Sequence, residues 1–255
     1  MNIVKILILS TFFSSITAYS NGPEKVKSLT ATYGADYVKP FILKDANGKI
    51  VGGFIPELYK LLENETNLKI KLHSAPKNRE STLIEEGVTD FTCYTSVPWT
   101  KNPERFLWTN ELFFQATNRV YYSVSRFRSK PKTLKDLQSK TIGVILGYKY
   151  GKQIEEKLNS GEIKKIEFRN FDLMFRSLIA GRVDSIIDTG IQYTYLKNHL
   201  KTKNIEASDI KLNTYEVSCQ ISKKKPELLK AFNKAIKSLR TNGKLKALLE
   251  KYGQA

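Results

Sequence analysis

Side chains that bind metals are scarce in this chain of 255 residues, which contains two cysteines and two histidines. His73 and His199 stand far apart in the sequence, and neither has a second ligand at the spacing that metal sites use. The histidines therefore give no support for a metal site, and no motif indicates another cofactor. Solvated surface histidines are the simpler interpretation.

The two cysteines leave two interpretations open. Cys93 and Cys219 both lie inside apolar strand patterns, where a free thiol behaves as a small hydrophobic group. In an oxidising compartment the same pair can instead form a disulfide. The sequence alone does not choose between the two.

Recognition elements for nucleic acid are also missing, although the chain is strongly basic. It has 42 Lys and Arg against 25 Asp and Glu, a formal net charge of +17. Most of the lysines are scattered along predicted helix faces, and no Arg-rich or aromatic-interleaved helix is present. We therefore interpret the charge as a source of solubility and of attraction for anions, with no nucleic-acid partner.

Long apolar runs are absent after the first 20 residues, so no later stretch predicts a membrane span. Residues 1–20 carry an early cation, Lys5, then an apolar run, then small residues, which is the order of a secretory signal peptide. No cysteine lies near the cleavage zone, which argues against a lipid anchor. Removal of this segment lowers the net charge from +17 to +16. We predict a periplasmic protein exported through a cleavable signal.

A short phrase occurs twice, ninety-four positions apart: a helical run, Gly-x-x-Asp, and an apolar strand that ends on Thr. The first copy comprises Gly87, Asp90, Phe91 and Thr95, and the second comprises Gly181, Asp184, Ile186, Ile187 and Thr189. Glycine just past a helix supplies a left-handed cap, and an acidic residue suits the solvated rim of a sheet. The repeat predicts two similar α/β lobes, each with a hydroxyl at the strand end where ligands bind.

The order of predicted elements supports this division. An Asn47-Gly48 two-residue turn predicts a hairpin at residues 41–51, and helices are predicted at residues 56–64 and 150–158. An alternating strand at residues 215–221 brings the chain back. The predicted parts are lobe 1 at residues 21–114 and 220–255, lobe 2 at residues 122–213, and crossings at residues 115–121 and 214–219.

Three stretches resemble a known family. The first runs from Pro40 to Leu58, with Phe41, Asp45, Gly48, Gly52, Gly53, Phe54 and Glu57 as its fixed points and one extra glycine in the Gly52-Gly53 pair. The others are Thr133, Leu134, Asp136, Leu137, Lys140, Ile142, Gly143, Val144 and Gly147, and later Gly181, Val183 and Asp184. In this order they resemble the bacterial extracellular solute-binding protein family 3. The resemblance implies an α/β, two-lobed type II periplasmic binding protein with a two-strand hinge, which hands a small solute to a membrane transporter.

The resemblance also implies site residues. Family members that bind amino acids commonly hold the carboxylate with Arg and the ammonium with Asp, which suits the chemistry of both groups. By motif position the Arg is Arg105, in a loop longer than the family's usual spacing. The family's Asp falls on Thr189, with Asp188 one place earlier on the strand. Because strand neighbours face opposite sides, the sequence leaves open whether Asp188 faces the cleft.

Further positions in lobe 1 are expected at the cleft. Tyr33 and Tyr37 stand where the resemblance expects cleft residues, and their rings can stack on a flat or cationic group. Ordinary core or rim tyrosines are the alternative. Lys77 stands where the family often has an aromatic residue, and a cation there favours an anionic solute; a plain exposed lysine is the alternative.

Hydroxyl and anion contacts complete the predicted site. Tyr94 and Thr95 end the first-lobe strand as Thr189 ends its counterpart, so hydroxyls can reach a ligand from both sides. Tyr148 and Lys149 precede a predicted helix, whose free N–H groups attract anions.

These observations predict a monomeric, non-enzymatic receptor for a small polar solute, such as an amino acid or a small carboxylate, that serves an ABC-type transporter. No evident pair of carboxylates, Ser-His-Asp set or Cys-His set is present to support catalysis. Two alternatives stay open: a dehydratase-like enzyme on the same scaffold, with Asp188 or Lys77 as the acid or base, and a sensory binding protein that signals to a membrane receptor.

Overall fold

The structure is a computed structural model that describes residues 28–35, 39–200 and 202–253. The predicted signal peptide at residues 1–20 and the predicted site residue Tyr37 lie outside the described residues. None of the helices in the described ranges is long and apolar enough to cross a membrane.

Strands and helices alternate along most of the chain. The strands are β1 (Ser28–Gly34), β2 (Leu43–Lys44), β3 (Ile50–Gly52), β4 (Lys69–Ala75), β5 (Phe91–Thr95), β6 (Leu107–Trp108), β7 (Phe114–Ser123), β8 (Thr141–Ile145), β9 (Lys164–Phe168), β10 (Ser185–Asp188) and β11 (Ile205–Ile221). The helices are α1 (Phe54–Thr66), α2 (Glu80–Glu86), α3 (Lys152–Asn159), α4 (Phe171–Ile179), α5 (Ile191–Leu200), α6 (Glu227–Thr241) and α7 (Lys244–Lys251).

Two parallel blocks of strands are joined by an antiparallel centre. The strand order is β4-β1-β5-β11-β7-β10-β8-β9. β1 is parallel to β4 and β5, and β8 is parallel to β9 and β10. The long strand β11 pairs with β5 near its C-terminal end and with β7 along most of its length. The predicted crossings at residues 115–121 and 214–219 fall within β7 and β11, while the exact lobe bounds stay a prediction.

The repeated glycines end helices as predicted. Gly87 has φ 78° and Gly181 has φ 67°, the left-handed region that favours glycine. The N–H of Val88 then donates to Leu83 O, and the N–H of Arg182 donates to Ser177 O. α2 therefore ends directly before Gly87 and α4 two residues before Gly181, and the next strand begins four residues after each glycine.

The repeated aspartates tie each of these strands to the first strand of its own lobe. Asp90 Oδ2 accepts a hydrogen bond of 2.7 Å from the N–H of Thr30, and Asp184 Oδ2 accepts one of 2.8 Å from the N–H of Thr141. The backbone N–H of each aspartate donates to the carbonyl of the same threonine. We call this pair of hydrogen bonds the aspartate clamp. In each lobe it joins two neighbouring parallel strands.

Separate apolar cores stabilise the two lobes. The lobe 1 core packs α1, α6 and α7 against β1, β5 and β11, and it contains Phe91 and Phe232. Lobe 2 has one core on each face of its sheet, one around Ile142 and the other around Met174. Burial of these large side chains supplies the main driving force for each lobe.

The two cysteines form a disulfide in the lobe 1 core. Cys93 of β5 and Cys219 of β11 are both fully buried and bonded to each other. The bond joins residues 126 positions apart. It therefore ties the returning C-terminal strand to the N-terminal part of lobe 1.

The hairpin loop is longer than the predicted two-residue turn, so that prediction is wrong. The N–H of Asp45 donates to Lys49 O over 2.9 Å, and the N–H of Gly48 donates to Asp45 O over 3.0 Å. Asp45 Oδ1 also accepts from the N–H groups of Asn47 and Lys49, each over 2.9 Å. This side-chain cap stabilises the wider loop.

Candidate functional site

A cavity that opens in part to solvent lies between the two lobes, beside the crossing strands. Its empty space is about 670 Å³, including the part that opens to solvent. The lining residues are Phe41, Lys77, Tyr94, Trp99, Asn118, Gly147, Tyr148, Lys149, Tyr150, Phe171, Ile187, Asp188, Thr189 and Gln192.

Lobe 1 contributes aromatic rings and one cation. Phe41 and Tyr94 pack with ring centroids 5.0 Å apart. Lys77 Nζ lies 2.9 Å from Glu80 Oε2, and this glutamate side chain is only 4% exposed. Because the buried carboxylate holds the ammonium in place, Lys77 presents a positioned charge beside an apolar wall.

The two lobes touch at the cavity, which is the closed arrangement of a two-lobed protein. The side chain of Tyr94, at the end of β5, hydrogen-bonds to that of Thr189, just after β10. Ile191, at the start of α5, is fully buried and belongs to the lobe 1 core. Burial also raises the pKa of Tyr94 above its usual range, so its hydroxyl stays protonated.

Asp188 ends β10 and faces the cavity, which answers the question left open by its displaced position. Its side chain is buried, and Oδ2 accepts hydrogen bonds from the N–H groups of Gly190 (3.1 Å) and Tyr193 (2.9 Å). Burial raises the pKa of this carboxyl to about 6, and the backbone hydrogen bonds oppose the rise. At neutral pH Asp188 is therefore a buried negative charge at the cavity wall.

The start of α5 supplies a second buried polar group. Gln192 is 2% exposed and lines the cavity one helical turn after Asp188. Within the part of the chain that the structure describes, Asp188 Oδ1, Gln192 Oε1 and Gln192 Nε2 have no hydrogen-bond partner. Buried polar atoms without partners are rare, so these three mark a place where a ligand can bond.

The loop after β8 places a second lysine at the cavity. Tyr148 and Lys149 line it, and the Tyr148 ring packs against Phe171 with centroids 5.7 Å apart. Helix α3 begins at Lys152 rather than near residue 150. The N–H of Tyr150 donates to Glu155 Oε1 over 2.8 Å, so this donor is already used within the protein. Lys149 itself is exposed at this edge of the cavity.

The structure brings six of the ten predicted site residues to the cavity wall, and they are Lys77, Tyr94, Tyr148, Lys149, Asp188 and Thr189. Tyr33 is buried in the lobe 1 core instead, and Thr95 is buried opposite Ser218 in the sheet. Neither of these two lines the cavity.

Arg105 also lies apart from the cavity. Its Nη1 is 2.8 Å from Glu85 Oε1, and the arginine side chain is 53% exposed. The preceding long loop folds into two short 3-10 turns, Val97–Trp99 and Pro103–Arg105. Trp108 Nε1 donates to Pro103 O over 2.9 Å, which holds the second turn. These contacts direct Arg105 toward α2.

Sequence reasoning did not assign several wall residues, and they are Phe41, Asn118, Tyr150, Phe171, Ile187 and Gln192. For two of these residues the sequence pattern could have indicated a place at the cavity. Asn118 is an amide inside a crossing strand, and Gln192 is an amide in the first turn after the second strand that ends on Thr. The aromatic residues gave no such indication, because a ring at a cavity wall has the same sequence pattern as a ring in a core.

The fold and the cavity between its halves define a two-lobed solute-binding protein, a class in which two α/β halves close on a small molecule. More particularly, the chain belongs to the bacterial extracellular solute-binding proteins, family 3, whose family model matches residues 31–255. The predicted family and fold class are thereby confirmed.

Relatives resemble this chain over most of its length. It is 28% identical over 232 residues to an arginine-binding extracellular protein of Bacillus subtilis, covering 89% of this chain and 86% of that protein. It is 24% identical over 266 residues to the lysine/arginine/ornithine-binding periplasmic protein of Escherichia coli, covering 98% and 96% of the two chains. The named relatives are binding proteins.

Solved structures share the same fold. An ancestral arginine-binding protein bound to arginine matches with a TM-score of 0.71 and 21% identity, covering 88% of this chain and 97% of that chain. An ancestral amino acid-binding protein described as a precursor of cyclohexadienyl dehydratase also matches with a TM-score of 0.71, at 22% identity and 88% and 95% coverage. At these identities the likeness shows the fold alone.

Proposed function

We propose that this chain is an exported receptor for an amino acid, which it delivers to the permease of an ABC transporter. One observation carries the proposal: the same cavity is lined by a buried carboxylate, Asp188, and by two lysines, Lys77 and Lys149. A zwitterion needs charges of both signs, which these three side chains offer. The names of the relatives as amino-acid binders support the same conclusion.

The solute stabilises the closed form by touching both lobes. Lys77 and the lobe 1 rings lie on one side of the cavity, while Lys149, Asp188 and Gln192 lie on the other. A molecule that contacts both sides binds the closed form better than the open form, so it shifts the population toward closure. The closed protein is then the form that the permease recognises.

Calorimetry tests the proposal directly. Protein that has been unfolded, stripped of ligand and refolded is titrated with the twenty amino acids and with small organic acids. We expect heat of binding with at least one amino acid. Titrations without heat for every compound contradict the proposal, provided that circular dichroism shows the refolded protein to be native.

Export is part of the proposal, and the disulfide supports it. A buried Cys93–Cys219 bond is typical of a protein that folds in an oxidising compartment. Expression of the full chain in a Gram-negative host should place it in the periplasm, with a mature N-terminus near residue 21. Osmotic-shock fractionation and N-terminal sequencing measure this, and size-exclusion chromatography tests the proposed monomer.

An enzyme on the same scaffold is the competing function, and the pKa of about 6 for Asp188 is the observation that favours it. A receptor releases its solute unchanged, whereas an enzyme converts it. Incubation of wild-type protein with each bound solute, followed by chromatography, should recover the solute intact. Conversion by the wild type that disappears in Asp188→Asn identifies an enzyme instead.

A further inference from the structure

The C-terminal turn, which comprises Tyr252 and Gly253, contacts lobe 2 although it follows α7 of lobe 1. Leu248 of α7 belongs to the lobe 1 core, and Tyr252 packs against the same core. Leu196 of α5 belongs to a lobe 2 core. Gly253 lies directly against Thr194 of this lobe 2 helix. The turn therefore forms a contact between the lobes.

The contact is too close for a side chain at Gly253. A Cβ atom added there would lie 2.5 Å from Thr194 Cγ2, 2.8 Å from Thr194 Cβ and 2.9 Å from Thr194 Oγ1. Real Cβ atoms essentially never approach other atoms within 3.0 Å. Tyr252 is also near α5: burial raises its pKa above the usual range, and the neighbouring Glu57 and Tyr195 raise it further. Two adjacent residues of the turn thus lie close to the same helix.

Contacts in lobe 1 fix the position of Tyr252. Its hydroxyl donates to Glu57 Oε1 over 2.8 Å, and its ring packs edge-on against Phe54 with centroids 5.5 Å apart. Phe54 in turn packs against Tyr94 of the cavity wall, with centroids 5.6 Å apart. The turn is therefore attached to the residues that support the lobe 1 wall of the cavity.

The opposite partner is the helix that carries part of the lobe 2 wall. Gln192 of α5 lines the cavity two residues before Thr194. The N–H of Thr194 donates to Gly190 O over 2.9 Å, which closes the first turn of the helix. Neither Tyr252 nor Gly253 lines the cavity. The turn thus joins the supports of both walls from outside the cavity.

We propose that the C-terminal turn is a clasp, which stabilises the closed form by holding α5 against lobe 1 and so sets the affinity for a solute that it does not touch. Separation of the lobes breaks the contact, so the clasp favours the closed form alone. The effect on affinity rests on the proposed function, because it requires a solute between the lobes. The clasp itself is a property of the ligand-free protein.

The first experiment adds one methyl group to the contact. Gly253→Ala places it against Thr194, so small-angle X-ray scattering of the ligand-free variant should report a larger radius of gyration than that of the wild type. Gly243→Ala is the matched control, because Gly243 has φ 77° against 74° for Gly253 and an added Cβ meets no described atom within 4 Å. It has the same backbone strain without the clash, so its radius of gyration should equal that of the wild type.

The second experiment separates the clash from the strain by removing the opposing side chain. Thr194→Gly deletes the three atoms that the new methyl group would meet first. Gly253→Ala made in this background should leave the radius of gyration as it is in Thr194→Gly alone. Both proteins share the same glycine in α5, so its cost to the helix cancels in the comparison.

Calorimetry with the amino acid that the wild type binds gives the second measurement. We expect Gly253→Ala to bind at least about fivefold more weakly, since a smaller closed fraction raises the apparent dissociation constant. Gly243→Ala should bind within twofold of the wild type.

Each outcome decides the proposal. Equal radii of gyration for Gly253→Ala and Gly243→Ala overturn the clasp, and so does an effect of Gly253→Ala that persists in the Thr194→Gly background. An opened Gly253→Ala that binds within twofold of the wild type overturns its role in affinity. All three results leave the receptor function intact. A wild type that binds no amino acid overturns the receptor function, while the scattering comparison still decides the clasp.

Discussion

At the scale of single residues, the site depends on one displaced carboxylate. Asp188 is buried at the cavity wall, whereas its place in the sequence left open which face of the strand it occupies. The reason is local: β10 ends at Asp188, so the strict alternation of a strand no longer governs its side chain. Its Oδ2 accepts hydrogen bonds from the first turn of α5, which holds the carboxylate toward the cavity.

The Asp188 carboxylate should lower the free energy of unfolding of the ligand-free protein at neutral pH. Burial raises the pKa of Asp188 from 3.8 to about 6, so the folded state holds its proton more tightly than the unfolded state. Its contribution to stability is complete below pH 3.8 and is lost as the pH rises through 6. This rise in the pKa corresponds to about 3 kcal/mol in the free energy of unfolding.

Asp188→Asn should therefore raise the free energy of unfolding of ligand-free protein by up to about 3 kcal/mol at pH 7.5, and by little at pH 3.5. Urea unfolding at both pH values measures the difference. Equal differences at the two pH values would contradict the assigned titration. The same variant should lose affinity for the amino acid, since the buried negative charge is gone.

At the scale of elements, tertiary contacts set several boundaries. Helix α1 begins at Phe54, two residues before Pro56, because the N–H of Phe54 donates to Pro40 O and that of Ile55 donates to Phe41 O. Strand β11 begins at Ile205, ten residues before the predicted start at Tyr215. Its polar first half has no strong strand pattern, and pairing with β7 supplies the missing backbone partners.

The aspartate clamps should contribute equally in the two lobes. Asp90→Ala and Asp184→Ala each remove a short hydrogen bond to a backbone N–H and leave that group without its partner, so each should cost about 1–2 kcal/mol. The matched control is Asp172→Ala, whose carboxylate pairs on the surface with Arg176 and should cost under about 0.5 kcal/mol.

Urea unfolding of the three alanine variants measures these costs. Asp184→Asn keeps an oxygen acceptor and should recover most of the loss at that position. An effect of Asp184→Ala no larger than that of Asp172→Ala would show that the repeat is not a clamp.

At the scale of the whole molecule, closure joins two separately packed lobes. The contacts between them include the Tyr94–Thr189 hydrogen bond and the packing of Ile191 into the lobe 1 core. Trp99 also packs against Tyr215 of β11 with centroids 5.1 Å apart, next to the crossing. These contacts favour the closed form of the ligand-free protein, and a solute that touches both lobes would add to them.

Tyr94→Phe should increase the open population of the ligand-free protein. It removes the interlobe hydrogen bond, which is worth about 1 kcal/mol, and keeps the ring contact with Phe41. That energy corresponds to about a fivefold change in the ratio of closed to open forms. Small-angle X-ray scattering should report a larger radius of gyration.

Thr189→Val breaks the same bond from the other lobe and serves as the matched variant. The double variant should open no further than either single one, because all three lack one shared interaction. Additive effects, or no change in the radius of gyration, would contradict a role for this bond in closure.

Much of the fold follows from the local pattern. The repeated Gly-x-x-Asp phrase predicts both helix ends and both strand starts, because a left-handed turn favours glycine. The two crossings follow from the order of the elements, and the family follows from motifs spread over the chain. Only the tertiary structure shows the disulfide, because spacing along the chain does not indicate that Cys93 and Cys219 meet across two strands.

The residues of the site also fall into those that the sequence predicts and those that tertiary contacts decide. Residues at strand ends, such as Tyr94 and Thr189, are predictable because the end of a strand in an α/β sheet places them at the cavity. The positions of Arg105, Asp188 and Gln192 are decided by tertiary contacts: a loop that folds toward Glu85, and a strand-to-helix turn closed by backbone N–H groups. Local sequence sets φ and ψ preferences and burial patterns, whereas the direction of a charged side chain depends on partners that are distant in the chain.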